Sequence, residues 1–141
     1  MESKIVANTA IVRLDKGEEV ISSLLSLAKS QSITCADVRG IGASDDFSVG
    51  VFDSRSKKYV AADFREPAEI TSLVGNLTTK DGENYAHLHA NFALQGGKTV
   101  GGHLTKAVVS VTCELFVTFY DVTVKRRFDE NIGVNLMKFE D

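Results

Sequence analysis

The spacing of apolar residues changes twice along the chain. The stretch IVANTAIVRL is β-branched and predicts a first strand. In DKGEEVISSLLSLAKSQ, Val20, Ile21, Leu24, Leu25 and Ala28 recur at helical intervals and predict one amphipathic helix. Asp15 followed by Glu18 reads as a capping box, and Glu18 and Glu19 suit the positive end of the helix dipole. Beyond the helix the pattern returns to β. ITCADVRG, FSVGVFD, KYVAADF, AEITSLVGNLT, NYAHLHANFAL, KTVGG and AVVSVTCELFVTFYDVTV read as strands. DSRSKK, TKDGEN and LQGGK read as hairpin connections, and RGIGA as a tight turn at Gly40 and Gly42.

Short connections favour antiparallel pairing. The predicted fold is therefore α+β: a mostly antiparallel sheet or open barrel packed around one main helix. No linker, repeat or low-complexity tract divides the chain, so it reads as a single domain with its core at about residues 5–128. Residues 129–141 read as a last strand or as an arm over a neighbouring subunit.

Composition narrows the function. The 141 residues are 43% hydrophobic and 25% charged, which is ordinary for a globular domain with a real core. The formal charge of -3 is a poor global match for nucleic acid. The densest basic run, Lys125–Arg127, reads as a solvated face. The N-terminus lacks the apolar core of a signal peptide, and the longest apolar run is interrupted by Glu114, so the expectation is a cytoplasmic protein without membrane spans. Cys35 and Cys113 form no CxxC and read as buried free thiols, with a disulfide or a metal role as alternatives.

Candidate chemistry is concentrated in YAHLHANFALQGGKTVGGHL, which holds all three histidines of the chain. On a strand, residues i and i+2 share a face, so His87 and His89 project together. His103 joins them if the segment after Gln95 folds back alongside. Gly101 and Gly102 let the backbone approach a ligand or a partner chain closely. Three neutral imidazoles suit zinc and leave a fourth position for water or a small-molecule ligand. The alternative is a polar strand face without metal.

The sheet alternation places Val109, Val111, Cys113, Leu115, Val117 and Phe119 on one face. Ser110, Thr112, Glu114, Phe116 and Thr118 take the other. Glu114 is then a partner for a ligating histidine, a general acid or base, or a solvated carboxylate on an exposed face.

The helix after RLDKGEEV, the RGIGA turn, AEITSLVGNLT, HLHANFA, and VGGHL followed by VTCE resemble the plants-and-prokaryotes-conserved (PPC) domain, from about Ile11 to Tyr120. The resemblance implies an α+β domain assembled as a homotrimer. In the stand-alone prokaryotic members the histidines of the HxH strand and of the GGH segment are proposed zinc ligands near subunit boundaries. Here those are His87, His89 and His103. In plants the domain follows AT-hook segments of nuclear DNA-binding proteins, but this chain has no Arg-Gly-Arg-Pro core, and its only proline lies in REPAE.

Two functional expectations follow. The first is a trimeric zinc-binding protein, extending to a hydrolase-like enzyme in which Glu114 or Glu69 handles protons. The second is a DNA-binding or regulatory module. The charge balance and the lack of an AT-hook argue against DNA as a partner for the chain alone.

Overall fold

The computed structural model describes residues 1–139. Nine strands and one α-helix occur among them, with a short 3-10 turn at Gln95–Gly97: β1 (Glu2–Val6), β2 (Thr9–Asp15), α1 (Val20–Ser30), β3 (Ala36–Asp53), β4 (Lys58–Phe64), β5 (Ala68–Lys80), β6 (Glu83–Leu94), β7 (Thr99–Phe119), β8 (Lys125–Asp129) and β9 (Val134–Lys138). The α+β class expected from the pattern is what forms, as a mixed sheet in one domain. Every strand pairing is antiparallel except the short one between β5 and β8.

Two long strands organise the fold. β3 pairs with β7 and β5, and β6 pairs with both β5 and β7. The four strands therefore form a closed circuit of hydrogen bonding, with β1–β2, β4 and β8–β9 added outside it. The core inside is apolar and includes Leu14, Val38, Leu73, Leu77, Leu88 and Leu115. Phe47 is stacked between Phe64 and Phe92, with centroids 5.0 and 3.8 Å away.

Several local expectations are corrected. The first predicted strand is a hairpin, β1–β2, turning at Ala7, whose φ is 53°. The predicted pairs of short strands merge into β3 and β7. Gly40 and Gly42 therefore lie within β3, at a register shift rather than a turn. A Cβ on Gly42 would come 2.6 Å from the Thr112 carbonyl oxygen, so these glycines let β3 cross β7 closely. A second register shift, between Gly42 and Ser44, breaks the alternation of β7. It leaves Val111 70% exposed while Val109 and Cys113 are buried.

The helix is capped by Glu19, not Asp15. Its carboxylate accepts from Ile21 N at 3.1 Å and Ser22 N at 2.8 Å, and also from Ala107 N of β7 at 3.2 Å. Glu18 accepts from Asp15 N in the turn before. The buried helix face is Val20, Leu24, Leu27 and Ala28; Leu27 takes the place expected of Leu25. Both cysteines are free. Burial, with Glu114 adding to it, pushes the Cys113 thiol up to about 12. Among the described residues no helix is long and apolar enough to cross a membrane.

Candidate metal centre

β6 alternates cleanly. Leu88, Ala90 and Phe92 enter the core, so His87 and His89 must face outward. His103 on β7 is the direct cross-strand partner of His89, and on its other side it pairs with Gly50 of β3. The two glycines before it make this register possible. A Cβ on Gly101 would meet the Ala90 carbonyl at 2.7 Å, and one on Gly102 would run into the carbonyl of Gly50. The close approach foreseen at these glycines is thus to the chain's own β3 and β6.

The three rings converge. Centroid separations are 5.2 Å for His87–His89, 5.3 Å for His87–His103 and 5.7 Å for His89–His103. One nitrogen from each ring lies within 4.8 Å of the others. A tetrahedral ion with nitrogen ligands at zinc distances needs about 3.3 Å between them. His89, the exposed member of the three, is the freest to rotate towards that spacing. His103 Nδ1 is buried with no hydrogen-bond partner. A buried nitrogen without a partner is costly, and a cation would satisfy it. The donor set and the orphaned nitrogen therefore fit a divalent metal.

The walls come from β4, from β8 and from β6 itself. The Tyr59 ring of β4 lies 4.7 Å from that of His103. Arg126 of β8 brings Nη2 to 3.5 Å from His87 Nδ1, a long contact. Tyr85 shares the outer face of β6 and lies under the Arg126 guanidinium at 5.1 Å. Arg126 was the residue hidden in the sequence. Within Lys125–Arg127 it alone is buried, and the exposed–buried–exposed pattern of a strand was the signal for it.

The electrostatics favour the neutral imidazole at His87 and His103. Burial, followed by Arg126 and then His103 and His89, pulls His87 down from 6.5 to about 4. Burial and then His89 lower His103. Neutral imidazoles carry the free lone pairs that a metal requires.

The structure does not bring Glu114 or Glu69 to the histidines. They line one groove together with Ile41, Gly42 and Val111 on the outer sheet face. Glu114 also borders the two adjoining grooves, and no histidine lines any of the three.

Comparison with known proteins agrees with this architecture. The family model of the Plants and Prokaryotes Conserved (PCC) domain matches residues 1–121. A solved structure from Bacteroides thetaiotaomicron, described as a putative DNA-binding protein, is 28% identical with a TM-score of 0.96, covering 99% of this chain and 98% of that one. A metal-containing protein from Archaeoglobus fulgidus is 32% identical with a TM-score of 0.88, covering 98% and 97%. A plant- and prokaryote-conserved protein from Pyrococcus horikoshii is 26% identical with a TM-score of 0.87, covering 99% and 96%. No curated protein sequence matches at a significant level.

The depressed His87 has a consequence for the metal-free protein. A histidine whose folded pKa lies below its unfolded value binds its proton preferentially when unfolded. Stability should therefore fall as pH drops from 6.5 towards about 4. Chemical denaturation across that window should show the slope, and His87→Gln should flatten it. An unchanged slope in the variant would refute the assignment.

Proposed function

The chain belongs to the Plants and Prokaryotes Conserved domain family, and from that premise we propose that it is a homotrimeric metal-binding protein whose ion, preferentially zinc, is held by His87, His89 and His103. The observation that carries the reading is the convergence of three imidazoles within 4.8 Å. The buried, unpartnered His103 Nδ1 supports it. The metal-containing relative from Archaeoglobus fulgidus adds to that support. When bound, such an ion supplies Lewis acidity at a position that three protein ligands leave open. The chain's own residues orient the ligands: the Gly101–Gly102 approach sets His103, and β6 alternation sets His87 and His89. Tyr59 packs against His103 on one side, and Arg126 stands against His87 on the other.

The trimer is supported by an apolar outer face. Ile11, Phe116, Arg39 and Val74 lie side by side across β2, β7, β3 and β5. Ile41, Val111 and Glu114 stand beside them, and Ile41 and Val111 are more than half exposed. Contiguous exposed apolar side chains of this kind mark association surfaces. We place Glu114 and Glu69 on that surface. Val74 is the cross-strand partner of His89, so the metal centre adjoins it.

A second reading, DNA binding, is favoured by relatives described as putative DNA-binding proteins. Electrostatics oppose it. The net charge is -3, and the one dense basic run turns its middle member, Arg126, inward.

Untagged protein purified without chelator should hold close to one zinc per chain by elemental analysis, and His89→Ala should lose most of it. Equal zinc in the triple alanine variant would exclude the site. Light scattering should return the mass of three 15.3 kDa chains. Val111→Lys should shift it towards one; a native monomer at all concentrations would exclude the trimer. Duplex binding at about 0.15 M salt should be weak and unselective, and nanomolar selective binding there would restore the DNA reading.

A further inference from the structure

Arg126 is a buried cation with no acid beside it among the described residues. The residue is 7% exposed, and among the described residues no carboxylate lies within ion-pair distance of it. All its partners are neutral. Nε donates to Thr78 Oγ1 at 2.9 Å, Nη1 to the Asn135 carbonyl at 2.8 Å and Nη2 to Asn76 Oδ1 at 2.8 Å. The Tyr85 ring covers it, and His87 Nδ1 is 3.5 Å from Nη2. These contacts fix the guanidinium rigidly and, among the described residues, leave its charge without a carboxylate partner. Charges taken out of water are ordinarily paired.

We propose that Arg126 is the anion-recognising residue of the histidine site, and that the ligand taken there is a small carboxylate. The inference rests on the metal reading above. A dication held by three neutral imidazoles keeps its whole charge, and Arg126 adds another beside it. An anion is the ligand that neutralises both. A carboxylate matches the planar guanidinium, and its two oxygens let it face a cation on either side. Tyr59 and Tyr85 flank the two cations with aromatic rings, one beside His103 and one under Arg126.

A purely mechanical role is the rival account. Arg126 ties β8 to Thr78 and Asn76 of β5 and to the Asn135 carbonyl of β9. That role uses its hydrogen bonds but not its charge, so the two accounts predict opposite signs for metal affinity. Removing a like charge beside a metal tightens metal binding. Loosening the scaffold weakens it.

The test uses the full-length protein loaded with cobalt(II), whose visible absorption reports its ligands. Sodium lactate is titrated at constant ionic strength against perchlorate. The native protein should show a saturable change of the cobalt bands. Arg126→Gln should weaken lactate about 10- to 100-fold, as expected for one lost charge-assisted hydrogen bond, while Arg126→Lys falls between. Without lactate, Arg126→Gln should hold cobalt more tightly than the native protein. Weaker cobalt binding with unchanged lactate affinity establishes the mechanical account and overturns the proposal. Cobalt uptake without any lactate response overturns the carboxylate assignment alone, and no cobalt uptake by the native protein overturns the metal reading with it. Should Arg126→Gln not fold, Arg126→Lys serves, and an unchanged lactate affinity there overturns the assignment.

Discussion

The pairing of β6 with β7 is the constraint on which the rest depends. It closes the strand circuit around the core and brings His103 opposite His89 in one register. That register tolerates no side chain at the residues before His103, because the carbonyls of Ala90 and Gly50 occupy the space. A slip by one residue would turn His103 inward and set Leu104, now buried, facing out. Core packing and site geometry are therefore fixed by the same hydrogen-bond ladder.

Where the sequence was read successfully, a local period carried the information. The helix, the outward pair His87 and His89, and the return of His103 all follow from spacing and turn residues. What spacing could not show were effects of long-range register. Register shifts along β3 put Val111 outside and made a continuous strand of what reads as a turn at Gly40 and Gly42. Glu19 does not read as a cap because glutamate is not among the residues that favour the N-cap position, and its third partner, Ala107, lies 88 positions away. Glu114 was correctly placed on the face opposite the core. Its distance from the histidines depends on how β7 bends, which no local pattern records.

Arg126 shows the same limit from another side. Three consecutive basic residues invite a reading as surface, since long charged side chains are rarely buried alone. Strand alternation overrides that tendency here. Arg126 is turned towards neutral acceptors on β5 and β9 and onto the Tyr85 ring. β8 and β9 lie beyond the residues matched by the family model, so this cation reaches the histidine cluster from outside the matched region.

The Glu19 carboxylate joins two elements that meet nowhere near each other in sequence. One oxygen serves both Ile21 N, in the first turn of α1, and Ala107 N, in the middle of β7. Helix ends normally fray independently of their surroundings. Here the first turn cannot open without also releasing an amide of the longest strand, so the start of the helix and the centre of the sheet form one cooperative unit. The amides of Ile21 and Ala107 would then exchange with solvent through the same opening event, although one lies at the end of an element and the other deep within one.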